Sequence, residues 1–226
     1  MKKSTLALFI CLISLSAFSQ LKGSSDRYIL ELNWNSWRNT PDSIQLKPFS
    51  RGFNFYTMFD FPFKEKSKFS FAAGLGLSTE NIYHNGQFMV NDSVGTTIIA
   101  IPDSQTYKNN KINTVYAEIP LELRFRTKPL FKNNRLKIGV GVKGGMLLAS
   151  HTKYVGDGTA FGQFGPDVKI KVAKIPNLSK YRYGITGRIG FGPYNFIGYY
   201  GLSTLFNEGK GPGMIPVSIG FTFNML

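Results

Sequence analysis

The side chains best suited to chemistry in this sequence are charged groups set among alternating apolar residues. Glu31, Glu118 and Glu122 supply carboxylates, and Arg124, Lys137, Lys143, Arg182 and Arg188 supply cations. Burying an isolated charge is prohibitive, so such groups brought to one enclosed surface must pair. The set then makes a structural salt-bridge network or, as the alternative, a narrow conduction or binding site. Nucleophilic chemistry is poorly provided for. The only histidines are His84 and His151, and Ser150 beside His151 is the nearest approach to a nucleophile–base pair. Adjacent strand residues point to opposite faces, so this pair cannot form locally. His84 with a distant serine stays open as a lipid-modifying alternative. Asp92, Asp103, Asp157 and Asp167 are scattered loop carboxylates without metal-ligand spacing. Gly156-Asp157-Gly158 and Gly162 to Gly165 lack the strand-to-helix context of a phosphate loop. No catalytic residue, metal or cofactor is expected.

The elements that must position these charges are strands. Val115 to Arg126 reads V-Y-A-E-I-P-L-E-L-R-F-R, with Val115, Ala117, Ile119, Leu121, Leu123 and Phe125 alternating against Tyr116, Glu118, Pro120, Glu122, Arg124 and Arg126. One purely apolar face and one charged face suit a strand between lipid and water. Its length suits a tilted membrane span, which needs about 9–11 residues. Pro120 cannot donate to a ladder, and a closed barrel has no free edge, so a bulge or a water is expected there.

Seven further strands follow the same logic. They are Arg27 to Asn35, Ser50 to Asp60, Phe69 to Thr79, Leu136 to Ser150, Lys180 to Phe191, Phe196 to Phe206 and Ile215 to Met225. The register of 196–206 stays ambiguous because aromatics occupy both faces. Polar connections Glu80–Asn110 and His151–Asn177 are long, whereas those after the second, fourth and sixth strands are brief. That asymmetry predicts an all-β, eight-stranded antiparallel up-and-down transmembrane barrel with both termini in the periplasm. Tyr28, Trp34, Trp37, Tyr83, Tyr181, Tyr183 and Tyr194 are assigned to aromatic girdles. A soluble periplasmic ligand-binding barrel explains the alternation too, but it would be apolar inside. Eight strands enclose an interior that side chains can fill, so the lumen is expected to be plugged.

The start of the chain sets the compartment. Met1-Lys2-Lys3, the apolar run Leu6 to Leu15 and the small residues Ala17 and Ser19 form a signal peptide over 1–19, leaving 20–226 as one barrel domain. The only cysteine, Cys11, lies within the leader, so no disulfide framework is expected. With 27 Lys and Arg against 13 Asp and Glu, the chain carries a formal charge of +14. Export and the lack of basic clusters interleaved with aromatics exclude nucleic acid as a partner. Two explanations stay open for the excess: a solvated basic surface, or contact with phosphates of outer-leaflet lipopolysaccharide.

The run Tyr116 to Phe125, preceded by Gly74-Leu75-Gly76-Leu77, resembles the PorT-like outer-membrane β-barrel domain family, the small OmpA-like eight-stranded barrels. Ile138 to Gly145 falls where that family has its Gly-rich fifth strand, and Ser218 to Phe223 is similar to its last. The resemblance implies an outer-membrane barrel of a Gram-negative-type bacterium. Some relatives assist secretion and gliding, so a structural or interaction role, or that of a secretion accessory, is implied. Expected partners are outer-membrane lipid, lipopolysaccharide and envelope or secretion-machinery proteins. No catalytic motif is shared.

Overall fold

The computed structural model describes residues 27–65, 67–91, 95–130 and 134–225. The signal peptide at 1–19 and Cys11 lie outside the described residues. Eleven strands form: β1 (Tyr28–Arg38), β2 (Arg51–Pro62), β3 (Phe69–Tyr83), β4 (Gly86–Asn91), β5 (Gly95–Ala100), β6 (Tyr107–Arg126), β7 (Leu136–Gly156), β8 (Val168–Ala173), β9 (Tyr181–Phe191), β10 (Tyr194–Gly201) and β11 (Ile215–Met225). Eight of them close a barrel in the order β1-β2-β3-β6-β7-β9-β10-β11. Every neighbour is antiparallel and next along the barrel chain, so the topology is up-and-down. Closure comes from β1 against β11, paired from Tyr28↔Met225 to Arg38↔Ile215.

Alternation decides which way each side chain faces. On β6, Tyr116, Glu118, Pro120, Glu122 and Arg124 are buried while Ile119, Leu121 and Leu123 are exposed. Ile219 is 69% exposed and Thr222, on the other face of β11, is 2% exposed. An apolar exterior around a polar interior is the reverse of a soluble barrel. Outward residues from Phe125 up to Val115 on β6 span about 25 Å along the membrane normal, the height of a barrel's lipid band.

The strands run further than their hydrophobic pattern suggests. Much of Glu80–Asn110 and part of His151–Asn177, both expected to be polar loops, are sheet. β3 continues to Tyr83, β6 begins at Tyr107 and β7 reaches Gly156. β4 and β5 form a separate hairpin, and β8 takes the place of β9 beside upper β7. These extensions lie beyond the lipid band, where outward positions face water and are polar. Their inward positions close a second core of Trp37, Ile82, Ile112, Ile175, Leu178, Leu205, Phe206 and Met214. Trp37 is therefore not a girdle residue: it shares parity with Glu31 and Asn35 and points into this cap. Strand seven also differs. It covers Tyr194–Gly201, with Asn195, Ile197 and Tyr199 inward and Tyr194, Phe196 and Tyr200 outward or partly so. Leu205 and Phe206 leave the sheet to fill the cap.

Pro120 carries no bulge. It stays in register with Lys143 on β7, while the ladder to β3 lapses between Ala73↔Leu121 and Gly76↔Glu118 without shifting. The missing donor is thus absorbed by two unpaired positions. The ring fits because Gly74 stands opposite, where a Cβ would lie 3.3 Å from Pro120 Cγ and 2.2 Å from Met58 Sδ. The bulge falls instead where Val115↔Ala149 is followed by Tyr116↔Leu147, leaving Leu148 as the extra residue on β7. It reverses the parity of everything above it on that strand.

Several inward glycines are set by close approach. A Cβ on Gly76 would sit 2.1 Å from the Phe55 carbonyl oxygen and 2.4 Å from Tyr56 Cδ1. Gly76→Val is expected to lower unfolding free energy by about 1–3 kcal/mol through overpacking. Urea titration of the refolded barrel by tryptophan fluorescence measures it.

Candidate functional site

The lumen concentrates the charges. Glu118 and Glu122 project inward from β6, and facing them on β7 are Gly145 and Gly141. A Cβ at Gly145 would lie 2.9 Å from Glu118 Cγ, and one at Gly141 would lie 3.0 Å from Glu122 Cγ. The glycine-rich strand is the space that admits the carboxylates. On the other side of β7, its neighbour β9 contributes Arg182 and Arg188, both pointing inward.

Three connected groups fill the interior. Midway up, Glu118 meets Lys143 Nζ at 3.2 Å and Arg182 Nη2 at 2.7 Å, and it accepts a hydrogen bond from the Tyr56 hydroxyl. Arg182 also donates to Glu80 at 2.7 Å and Ser78 at 2.9 Å, and its guanidinium lies 3.7 Å from the Tyr116 ring centroid. Below, Arg188 Nη2 bridges Glu31 at 3.2 Å and Glu122 at 3.0 Å, while Asn54 donates to the other Glu31 oxygen at 2.9 Å. Nearest the short turns, Arg124 Nε pairs with Glu122 at 2.8 Å, and Arg126 and Ser70 both engage Asp60.

These lumen residues balance. Glu31, Asp60, Glu80, Glu118 and Glu122 stand against Arg124, Arg126, Lys143, Arg182 and Arg188. Of the eight residues expected in the network, seven are buried and meet in these ion pairs. Lys137 is the eighth residue of that set. It is half-buried at the short-turn end and lines a cavity of about 10 Å³ with Arg124, Arg126, Arg188, Asn195 and Asn224. That volume admits about one water.

Other members went unnoticed in the sequence. Tyr56, Tyr116 and Arg126 share the inward parity and carried the necessary signal. Asp60 is the last residue of the expected second strand, and Glu80 falls where the sequence pattern passes into a polar segment. Tyr199, whose ring lies 4.5 Å from Lys143 Nζ, was hidden by the ambiguous strand.

The candidate nucleophile and base are not brought together locally. Ser150 is buried, its Oγ accepting from Ile175 N at 3.1 Å, and His151 is half-buried on the outer face. Asp157 caps a single 3-10 turn and Asp167 pairs with Lys108 at 2.9 Å. Among the described residues no group of His, Cys, Asp and Glu could hold a metal ion.

His84 belongs to the cap. Only 1% exposed, it packs on Trp37 and Phe88, and its Nδ1 accepts from Gly86 N at 3.1 Å. Burial lowers its pKa from 6.5 to about 4. The folded cap therefore holds His84 neutral, whereas the unfolded segment gains a proton near pH 6.5. Cap stability is fully present above that pH and is lost as pH falls toward about 4, by up to about 3 kcal/mol. Amide exchange at Asn85 and Gly86 is expected to speed up over this interval in the wild type. His84→Gln is expected to flatten the dependence.

The architecture matches a known family. Residues 18–207 match the sequence profile described as "Outer membrane protein beta-barrel domain". The chain belongs to this outer-membrane barrel family. The barrel therefore resides in the outer membrane, and its apolar outer wall is a lipid-facing wall. The soluble periplasmic alternative gives way on both grounds. Among solved structures, the translocator domain of autotransporter NalP from Neisseria meningitidis is similar at 11% identity over 98% of this chain and 97% of that one, with a TM-score of 0.19. No curated protein matches the chain.

Proposed function

We propose that the barrel is a non-enzymatic structural or interaction protein at the cell surface, with its long-loop end outward and both termini in the periplasm. The observation that carries this is the division of labour along its axis. The membrane section is filled by a charge-balanced network, while the chain beyond the lipid band is folded sheet over its own apolar core. A closed lumen leaves that external platform as the part available to partners. Its partners on this reading are outer-membrane lipid, lipopolysaccharide and envelope proteins. Photo-crosslinking in cells tests it. Probes at Met89 on β4 and Phe164 beyond β7 should each give a discrete adduct, and a probe at lipid-facing Leu121 should give only lipid. Bare barrel at both end positions would contradict an interaction role.

A place as accessory to a secretion machine is the finer version, supported by the segment Tyr116 to Phe125 that carries the PorT-like resemblance. It requires one stoichiometric protein partner in the cross-linked pull-down, recovered from every preparation. Adducts with lipopolysaccharide alone would remove it.

A further inference from the structure

One surface of the extension is organised in a way that the lumen does not explain. Directly opposite residues across β6, β7 and β8 are Lys111, Lys153 and Lys171, in that order. Residues opposite one another share a face, and this one is outward, since Ile112 and Tyr154, which alternate with Lys111 and Lys153, are buried. Lys153 reaches that face only because the extra residue Leu148 reverses the parity of upper β7. Three like charges in one cross-strand row are destabilising by themselves. Among the described residues none of the three has an ion-pair partner within 4 Å.

The row continues on β3 with Tyr83, whose ring lies 5.4 Å from Lys111 Nζ. Below it runs a second row, Asn81, Asn113, His151 and Ala173. Lys111 Nζ donates to Asn81 Oδ1 at 2.7 Å, so this lysine bends toward the lipid band. Partial burial first, then Lys171, Lys111 and Lys153, lowers the pKa of His151, as expected where the three cations share its surroundings. Lys111 stands four residues above Val115, which at the rise and tilt of barrel strands is about 10 Å beyond the hydrocarbon edge. That is headgroup depth, and a lysine stem can span part of the gap.

We propose that Lys111, Lys153 and Lys171 form a binding row for the phosphate groups of membrane lipid A on the outer wall of the barrel. The occupant is a lipid because the row is continuous with the lipid-facing wall beneath it and displaced sideways from the cap. It is phosphorylated because only a compact, multiply charged anion offsets three aligned ammonium groups. His151 in the lower row supplies a further polar group beside the same anion. The leaflet assignment rests on the outward orientation proposed above, whereas the phosphate chemistry does not.

The test uses the full barrel, refolded in detergent, with native mass spectrometry reading bound lipid. Purified bis-phosphorylated lipid A is the probe, with its fully dephosphorylated form and inorganic phosphate as the other arms. The wild type is expected to retain lipid A, and the triple variant Lys111→Gln, Lys153→Gln, Lys171→Gln to bind it at least about tenfold more weakly. A control at the opposite end, Lys64→Gln, Lys68→Gln, Lys128→Gln, should bind as the wild type does. Heat-modifiable gel migration confirms that each variant is folded. Equal retention by wild type and ladder variant, or equal binding of the dephosphorylated lipid, would overturn the proposal. Inorganic phosphate displacing no lipid A is expected, and full displacement at equal concentration would assign the row to free anions instead. Orientation is read separately with Gln163→Cys and an impermeant maleimide on intact cells. Failure to label would reject the surface orientation while the lipid arms still decide the lysine row.

Discussion

Replacing Arg182 with leucine is expected to lower the unfolding free energy by about 3–5 kcal/mol, the range for removing one partner from a buried ion pair. The size follows from how much this guanidinium holds. It bonds Glu118, Glu80 and Ser78 at 2.7–2.9 Å and covers the Tyr116 ring, in a position 4% exposed to solvent. Without it, two carboxylates stay in the lumen with Lys143 as the cation left beside Glu118. Arg182→Leu combined with Glu118→Gln and Glu80→Gln is expected to recover most of the loss, because the buried charges then leave together. Equilibrium urea unfolding of the refolded barrel in vesicles reads both variants. If the single variant is as stable as the wild type, the guanidinium is not the keystone of the upper network.

The second large effect lies on the opposite face of the wall. Val142 is exposed at mid-height on β7, between Val140 and Gly144, with Leu121 beside it on β6. Val142→Arg is expected to destabilise the barrel by about 2–4 kcal/mol, as an arginine at the bilayer midplane does. Lys153→Arg, on the same strand above the band, should change stability by less than about 0.5 kcal/mol. The gradient between the two positions, measured by the same titration, follows depth in lipid. Equal tolerance at both would mean that the apolar wall does not face hydrocarbon.

How legible this was in the sequence differed along each strand. Within the lipid band, one face must be apolar throughout, so Val115 to Phe125 or Phe69 to Leu77 could be read directly, and with them the strand count and the inward glutamates. Above the band that constraint lifts. Lys111, Asn113 and Lys153 face water from a sheet, and nothing in their polarity distinguishes a strand from a loop. The bulge at Leu148 compounds this, since one inserted residue inverts the alternation that reading depends on. Trp37 illustrates the same boundary. An aromatic near a strand end suggests a girdle, but its parity with Asn35 sends it inward, where Leu205 and Phe206 return from far along the chain to meet it. The pairing partners inside the lumen could be named only as a set. Which glutamate meets which arginine depends on register, and register depends on turn lengths and on the bulge at Leu148 rather than on any local pattern.

The lumen's closure is the central claim, and ion current through the reconstituted barrel tests it most directly. Among the described residues, ten ion-paired side chains line the lumen between a cavity of about 10 Å³ at one end and an apolar cap at the other. The wild type in a planar bilayer should therefore show no steady conductance, and Glu122→Gln should stay closed or gain one by loosening Arg188 and Arg124. A stable, ohmic conductance from the wild-type barrel would contradict the plugged lumen.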